Sequence, residues 1–438
     1  MENSRALHDE LKQIVGETGI LSEGQVADYT FDGYIPKAVV LPASVQEVQD
    51  VLRFASQKTL SVIPAGAGTK LGIGNLPQEV DIVLATTRLN SVVEYEPADL
   101  TVTVEAGIRL AALQAELAQH RQFLPLDPSY SDRCTIGGIV SANASGPLRL
   151  RHGTARNQVL GLQVVHANGT TVKSGGKVVK NVAGYDLNKL YIGAFGTLGI
   201  VTEATFKLSP IPVREAIFTA GFDNVQDAVK TGLNVVGSQM LPMFVNCLSN
   251  FEVDGAIDAK RPTLVVGFGG DPETVAWQLE RCQEMMEQNG AKGVTIIEGE
   301  QRRHLHAVVQ EFAANAERVI AKLNLKRTDV AEFAAQIVAE GSDRGVQVMA
   351  LLGSGVLYLA IPIAADTDFQ VFAKHLTELR QSVTAACGNL IVENAPPELK
   401  QHIDVWGPFG DAAGLMKQIK VRFDPKGLLN PGRFVSSI

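Results

Sequence analysis

The chain has 438 residues, of which 45% are hydrophobic and 20% charged, with a net charge of −8 and a mean hydropathy of +0.09. This length exceeds what one hydrophobic core usually serves, so we expect two or three domains. The negative charge argues against a nucleic-acid binder, and no apolar stretch predicts a membrane span or a signal peptide, so the cytoplasm is the expected compartment.

The first half of the chain predicts mixed helices and strands. A capping-box pattern at Ser44–Glu47 precedes an amphipathic helix, and "SVIPAG" then predicts a short strand that ends at proline and glycine. Residues 80–108 predict two or three strands and residues 109–121 an amphipathic helix. Asn168-Gly169 predicts the turn of a β-hairpin.

The glycine density falls after "TFKLSPIPV", where Pro210 and Pro212 interrupt a strand. Beyond this point, strand-like runs such as "TLVVGFG" and "VLYLAIPI" alternate with helical patterns. We therefore predict four parts: an N-terminal helical segment (1–34), a first α+β domain (35–210), a second α+β domain (211–405) and a C-terminal segment (406–438).

The four cysteines are far apart, without a Cys-x-x-Cys pair or a histidine at metal-ligand spacing, at Cys134, Cys247, Cys282 and Cys387. This pattern predicts no structural metal, no iron-sulfur cluster and no disulfide within the chain. We expect all four to be small buried side chains.

Three glycine-rich clusters distinguish the first domain. "VIPAGAGTKLG" has glycines at 66, 68 and 72, which let main-chain N–H groups approach an anion such as phosphate. Neither the P-loop nor the dinucleotide fingerprint fits, and this loop alone is equally consistent with a plain turn. Residues 127–161 and 175–208 repeat small side chains, which leaves room for a flat, extended ligand.

Together the clusters resemble the FAD-binding domain of the flavoprotein family that includes vanillyl-alcohol oxidase, D-lactate dehydrogenases and glycolate oxidase. Within this family, "GGKVVKNVAGYDLNKL" is most similar to the FAD-binding accessory subunit of bacterial glycolate oxidase. The resemblance covers residues 35–210 and 415–438. It implies an α+β fold with a two-subdomain FAD-binding domain, an α+β cap domain and a C-terminal segment that returns to the FAD-binding domain.

The resemblance also implies the residues that contact FAD. The pyrophosphate would lie against Pro64, Ala65, Gly66, Ala67, Gly68 and Thr69. The ribityl chain and the flavin would lie against Pro128, Ser129, Thr135, Ile136, Gly137 and Gly138, with room left by Ala142 and Gly146. The main chain of Ile200 would meet the adenine, and Asn430 would return from the C-terminus towards the flavin.

Covalent flavin attachment in this family commonly uses a histidine or a cysteine, and the loop at 64–72 contains neither. His152 and Cys134 lie in the second cluster, where we interpret them as structural residues. We predict noncovalent FAD.

In the family that this chain resembles, the catalytic subunits carry His-x-Gly-Asp-Gly-Asn-x-His and Gly-Glu-His-Gly motifs. These motifs supply a base and metal ligands. This chain has neither motif. "VENAPPELK" places Glu393 at the acid and Asn394 where the histidine would stand, and an amide cannot act as a base. We therefore predict no metal site and assign no catalytic residue.

Other polar residues leave both a functional and a structural interpretation open. Arg422 or Arg433 could bind a carboxylate, and Tyr185 or Asp186 could face the flavin. The remaining histidines are expected to be solvated or isolated rather than metal ligands, at His304, His306, His375 and His402.

Three functions remain open at this point. The first is the FAD-binding subunit of a glycolate- or D-lactate-oxidising complex, which assists or relays electrons beside a catalytic FAD-containing subunit and an iron-sulfur subunit. The second is a self-sufficient FAD-dependent 2-hydroxy-acid dehydrogenase with an unidentified base. The third is a nonredox scaffold that retains FAD. The complex would lie in the cytoplasm or at the inner membrane through its partners.

Overall fold

The computed structural model describes residues 2–176, 186–253, 256–258 and 261–438. Among these residues, no helix combines the length and the apolar character that crossing a membrane requires.

The N-terminal part contains a three-stranded parallel sheet in the order β1-β3-β2, formed by β1 (Ala38–Val40), β2 (Val62–Ala65) and β3 (Ile82–Ala85). Its helices are α1 (Glu2–Val15), α2 (Glu23–Val26) and α3 (Val45–Lys58). The predicted cap of α3 is present, because the Ser44 side chain accepts the N–H of Glu47. The predicted strand at "SVIPAG" is β2, and it delivers the first glycine-rich loop.

An antiparallel five-stranded sheet follows in the order β4-β5-β9-β7-β8. Its strands are β4 (Val92–Glu96), β5 (Thr101–Glu105), β7 (Val159–Val165), β8 (Thr171–Gly175) and β9 (Ile200–Lys207). Two short strands, β6 (Gln122–Phe123) and β10 (Ser209–Pro210), pair separately. The helices are α4 (Leu110–Ala118), α5 (Ile136–Ala142), α6 (Arg149–His152), α7 (Ala155–Gln158) and α8 (Asn188–Tyr191). The predicted hairpin joins β7 to β8, and Gly169 supplies a φ of 77° in its turn.

Residues 214–394 form an antiparallel eight-stranded sheet in the order β14-β11-β13-β12-β16-β17-β15-β18. Its strands are β11 (Arg214–Gly221), β12 (Phe244–Ser249), β13 (Thr263–Gly270), β14 (Lys292–Ile297), β15 (Arg318–Asn324), β16 (Gln347–Leu351), β17 (Val356–Pro362) and β18 (Asn389–Asn394). The helices of this cap domain are α9 (Val225–Val236), α10 (Pro272–Gln288), α11 (Gly299–Gln310), α12 (Val330–Gly341), α13 (Phe369–Ala385) and α14 (Pro397–Lys400).

Short 3₁₀ turns complete the described secondary structure, at Glu17–Gly19, Ala27–Tyr29, Pro97–Asp99, Glu311–Ala313, Ser342–Arg344, Leu352–Ser354 and Val435–Ser437. The cysteine prediction holds for three of the four residues. Cys134, Cys247 and Cys282 are buried, whereas Cys387 is exposed in the turn after α13, where its φ is 61°. The prediction for Cys387 was wrong because sequence spacing does not reveal a left-handed turn residue.

The C-terminal segment returns to the N-terminal sheet after helix α15 (Ala412–Phe423). The Val62 N–H donates to the carbonyl of Leu428 at 2.8 Å, and the Asn430 N–H donates to the carbonyl of Val62 at 3.0 Å. The structure therefore confirms the predicted α+β fold with a returning C-terminal segment.

A buried lysine fixes this return. The Lys420 ammonium donates to Asp424 Oδ2 at 2.7 Å, to the Leu429 carbonyl at 2.8 Å and to the Thr197 carbonyl at 2.9 Å. Burial lowers the pKa of Lys420, although attraction to Asp424 opposes this. One ammonium thus joins α15, the segment before β9 and the C-terminal segment.

We expect Lys420→Met to lower the free energy of unfolding by about 3–5 kcal/mol, because it leaves the Asp424 carboxylate buried without its cation. Lys417→Met, on the exposed face of the same helix, is the control and is expected to change stability by less than about 0.5 kcal/mol. Urea unfolding followed by circular dichroism measures both variants. Equal stabilities for the two variants would contradict this account of the buried pair.

Candidate functional site

A long cavity lies where the glycine-rich clusters meet. Its walls come from the loop after β2, from residues 128–144, from residues 195–201 and from residues 430–434. Its empty volume, including the part open to solvent, is about 1000 Å³.

The structure brings most of the predicted contact residues together on this wall: Pro64, Ala65, Gly66, Ala67, Gly68, Thr69, Pro128, Ser129, Thr135, Gly137, Gly138, Ala142, Ile200 and Asn430. It also adds residues that the sequence analysis did not assign to the cofactor, among them Lys70, Phe195, Arg433 and Phe434. Lys70 could have been found, since it directly follows the predicted loop.

Two predicted residues lie elsewhere. Ile136 is completely buried in the core beneath the five-stranded sheet, because the first turn of α5 directs it inwards. Gly146 packs against Asp127, and a Cβ there would lie 1.9 Å from the Asp127 carbonyl oxygen. Gly146 is therefore required by local packing and does not make room in the cavity.

The loop after β2 approaches the start of α5 too closely for a side chain. A Cβ on Gly66 would lie 1.9 Å from Oγ1 of Thr135, the residue that caps α5. Gly68 has a φ of 78°, a conformation that disfavours any other residue. The main chain of this loop thus forms part of the cavity wall.

The C-terminal segment supplies a buried cation to the same wall. The Arg433 guanidinium donates to the carbonyls of Leu71 and Ile73 and to Asn430 Oδ1. The same guanidinium lies over the aromatic ring of Phe31. Burial lowers the pKa of Arg433 to about 10, so it remains charged at neutral pH. Its Nε–H is buried and has no partner within the described residues, which leaves one donor for a bound ligand.

These observations fit the FAD that the resemblance implies. Among the described residues that line the cavity, the charged ones are Lys70 and Arg433, and both are cations. A pyrophosphate is a dianion, and main-chain N–H groups with nearby cations are the usual partners of such a group. The small residues along the wall leave space for the flavin and the adenine.

The cap domain makes hydrogen bonds to residues 128–131, of which Pro128 and Ser129 line the cavity. The Glu311 carboxylate accepts the N–H of Tyr130 at 2.7 Å and both the N–H and the hydroxyl of Ser131 at 3.0 Å. The Ser129 hydroxyl donates to the Gln310 carbonyl at 3.1 Å, and the Gln310 side chain donates to the Pro128 carbonyl at 3.0 Å. The end of α11 therefore positions residues 128–131.

The prediction that His306 is solvated was wrong. Its Nε2 lies 3.7 Å from Asp127 Oδ2, its ring packs against Phe244, and its side chain is 17% exposed. Burial lowers the pKa of His306 to about 4, so the ring is neutral at pH 7. The helical pattern could not show that another domain covers this face of α11. The other three histidines, at positions 304, 375 and 402, are exposed to solvent.

A second polar group lies where the cap sheet faces the first loop. Lys322 Nζ is 3.1 Å from Glu393 Oε1, and Lys70 Nζ is 3.7 Å from Glu393 Oε2. Burial raises the pKa of Glu393, but its two lysines outweigh this and hold the pKa at about 2. Burial likewise lowers the pKa of Lys322, and Glu393 raises it above its ordinary value. Both groups are therefore charged at neutral pH.

Within the described part of the chain, the Asn394 side chain makes structural contacts. Its Nδ2 donates to the carbonyl of Arg318 at 2.7 Å and also approaches those of Asn315 and Ala316 at 3.2 and 3.3 Å. The amide thus joins strand β18 to the turn that precedes strand β15. This position thus provides neither a base nor a metal ligand, and no group of three or more His, Cys, Asp or Glu side chains in the described part of the chain is placed to hold a metal.

Of the remaining predicted candidates, Cys134 lines the cavity as a neutral thiol, whereas His152, Arg422 and Asp186 do not line it. Burial raises the pKa of the Cys134 thiol to about 12 and lowers that of His152 to about 4, so both are neutral. Arg422 is exposed on α15, and Asp186 is exposed and pairs with Lys189 at 3.6 Å. Tyr185 lies outside the described residues.

We expect Gly66→Val to release FAD, because its side chain would displace either the loop or Thr135. Gly72→Val is the matched control in the same loop, since a Cβ at Gly72 meets no atom within 4 Å. The absorbance ratio of flavin to protein after gel filtration measures retention. Stoichiometric flavin in Gly66→Val would show that this loop does not hold the cofactor.

We also expect Glu311→Ala to weaken FAD binding by about 10- to 100-fold, because the main-chain N–H groups of Tyr130 and Ser131, next to the cavity wall, lose a charged acceptor. The recovery of FAD fluorescence on release measures the affinity. Glu300→Ala, exposed on α11, should match the wild type, and Glu311→Gln should restore part of the affinity. If Glu311→Ala and Glu300→Ala behave alike, the clamp does not position the flavin segment.

Comparisons with known proteins agree with this geometry. Residues 36–175 match the model of an FAD binding domain, and residues 211–348 and 409–434 match that of the FAD linked oxidases, C-terminal domain. The chain is 27% identical to glycolate oxidase subunit GlcD of Bacillus subtilis, over 91% of this chain and 89% of that protein. It is 28% identical to a D-lactate dehydrogenase of Archaeoglobus fulgidus, over 98% of this chain and 99% of that protein.

A D-2-hydroxyglutarate dehydrogenase of Xanthomonas citri is also 28% identical, over 91% of this chain and 89% of that protein. The fold is similar to that of p-cresol methylhydroxylase with substrate bound, with a TM-score of 0.77 at 18% identity over 99% of this chain and 97% of that one. The two family models follow one another along the chain and cover parts of the first domain, of the cap domain and of the C-terminal segment. The chain therefore belongs to the FAD-linked oxidases and is an FAD-dependent oxidoreductase.

Proposed function

We propose that this chain is the FAD-binding subunit of a complex that oxidises a small 2-hydroxy acid, with FAD held noncovalently. The relatives named above act, by their names, on glycolate, D-lactate or D-2-hydroxyglutarate, and all three are 2-hydroxy acids. When bound, FAD supplies the acceptor for the hydride that leaves the substrate carbon. The chain's own residues would hold the cofactor, position it and bind the substrate anion.

The protonation of the groups around Glu393 supports the assignment to a subunit that assists or relays electrons. Oxidation of a hydroxyl needs a base with a pKa near the working pH. Glu393 is paired with two lysines and is a weak base, and the ammonium of Lys322 retains its proton. Burial raises the pKa of Tyr358, which keeps its proton as well. The groups around this site thus bind charge but do not accept a proton.

The proposed partners follow from this role. A catalytic FAD-containing subunit would remove the hydroxyl proton, and an iron-sulfur subunit would accept the electrons. The similarity to a protein named as a glycolate oxidase subunit supports a complex. We place this complex in the cytoplasm or at the inner face of the membrane through its partners.

A self-sufficient 2-hydroxy-acid dehydrogenase is the second candidate. It is favoured by the near full-length match to a protein named D-lactate dehydrogenase, a name that does not mention a subunit. It would need a base other than Glu393 or Asn394, because the first is ion-paired and the second is an amide.

We expect the isolated FAD-loaded chain to be reduced by glycolate, D-lactate or L-lactate at least about 100-fold more slowly than the chain within its complex, because general-base assistance is worth about 100- to 10,000-fold. Anaerobic stopped-flow measurement of flavin bleaching compares the two. Rapid bleaching of the isolated chain by any of the three acids would make this chain the catalytic subunit. Failure of every acid to reduce the flavin in the complex would favour a nonredox scaffold.

A further inference from the structure

Two aromatic residues in the described part of the chain have a left-handed backbone, Tyr130 with a φ of 61° and Phe195 with a φ of 50°. Bulky residues rarely adopt this conformation, because the Cβ then comes too close to the following carbonyl oxygen. Such strain persists where the surrounding structure enforces it. Phe195 lines the cavity, and Tyr130 directly follows Ser129, which also lines it. The strain therefore lies at the wall of the cofactor site.

The strained conformation of Phe195 is held from within the FAD-binding part of the molecule. The Phe195 N–H donates to the carbonyl of Ser141 in α5 at 2.9 Å, and its carbonyl accepts from the side chain of Asn430. The ring meets Trp406 edge-on, with 4.9 Å between the ring centres. Phe195 is thus fixed by α5 and by the C-terminal segment.

The conformation of Tyr130 depends on the cap domain instead. The Tyr130 carbonyl accepts the N–H groups of Arg133 and Cys134 at 3.0 and 2.8 Å, which orients the peptide plane after Tyr130. The peptide plane before it is oriented by the Tyr130 N–H, which donates to Glu311 Oε2 at 2.7 Å. The other carboxylate oxygen accepts the N–H and the hydroxyl of Ser131 at 3.0 Å. Hydrogen bonds to a charged acceptor are stronger than those to a neutral one, so Glu311 is a strong restraint on this turn.

We propose that Tyr130 is a positioning residue of the cofactor site, and that the Glu311 carboxylate of the cap domain holds it in its left-handed conformation. When the cap is docked, the peptide plane before Tyr130 is fixed and Ser129 stays in the cavity wall. When Glu311 is withdrawn, Tyr130 relaxes to a negative φ and this part of the wall changes shape.

Cap docking and FAD binding are therefore coupled through one strained residue. By thermodynamic linkage, bound FAD must favour the docked cap by the same factor by which the docked cap favours FAD. This coupling goes beyond the proposed function, because it requires bound FAD but does not depend on which 2-hydroxy acid is oxidised.

Glycine and alanine at position 130 separate the backbone from the ring. Both substitutions remove the ring, but only glycine adopts a positive φ without strain. We expect Glu311→Ala to weaken FAD binding by about 10- to 100-fold in Tyr130→Ala, as in the wild type. In Tyr130→Gly the same change should cost less than about 5-fold, because glycine still populates the left-handed conformation. Titration of the chain with FAD, followed by flavin fluorescence, measures each affinity.

Two further variants serve as checks on this comparison. Tyr130→Asn should behave as Tyr130→Gly, because asparagine tolerates the left-handed conformation. Arg121→Gly is the matched control, since Arg121 is exposed in the same domain and has a φ of 56°. In Arg121→Gly, Glu311→Ala should keep its full effect on FAD binding. Each variant is compared with the wild-type circular dichroism spectrum, so a folding defect is recognised.

Hydrogen exchange of the Tyr130 and Ser131 N–H groups gives a second readout on the FAD-loaded chain. We expect exchange to be at least about 10-fold faster in Glu311→Ala than in the wild type, because both groups lose their acceptor. Glu300→Ala, exposed on α11, should exchange as the wild type does.

The proposal is overturned if Glu311→Ala weakens FAD binding equally in Tyr130→Gly and Tyr130→Ala, because the cap would then act without the strained backbone. Unchanged exchange in Glu311→Ala would overturn it as well. Failure of the proposed function is a separate result: the expected coupling, without reduction of the flavin by any 2-hydroxy acid in the complex, would leave this inference in place and remove the function.

Discussion

Buried cations that donate to main-chain carbonyls hold the walls of the cavity together. The first glycine-rich loop has few large side chains, so hydrogen bonds to its main chain add to its hydrophobic contacts. Arg433 binds the carbonyls of the first loop, and Lys400, paired with Asp32 at 2.7 Å, binds the carbonyl of Gly72 in the same loop. Lys420 binds the segment before β9. These cations come from the last part of the chain, so the cofactor site cannot be complete until the C-terminal segment has returned.

The same principle explains why the cap domain belongs to the site. Residues 128–131 are positioned by Gln310 and Glu311 through hydrogen bonds. Lys70, in the loop after β2, meets Glu393 of the cap sheet. Two segments beside the cavity are thus held by polar contacts with the cap domain, and movement of the cap would disturb both together.

The sequence could predict the parts of the site that depend on local backbone chemistry. The loop at Gly66 and Gly68, the cap of α3 and the return of the "NPGR" segment each leave a short pattern in the chain. Contacts between distant segments leave no such pattern. The sequence identified Glu393 as a matching acid but could not show its pairing with Lys70 and Lys322, since these residues lie on three separate elements. His306 was misjudged for the same reason, because the surface that covers it belongs to the other domain.

The central claim is that this cavity holds one FAD without a covalent bond. The most direct measurement is acid precipitation of the purified chain, followed by chromatography of the flavin in the supernatant and mass spectrometry of the precipitated protein. We expect one equivalent of FAD in the supernatant and a protein of unmodified mass. A flavin that stays with the precipitate, or a chain that takes up no FAD on reconstitution, would contradict it.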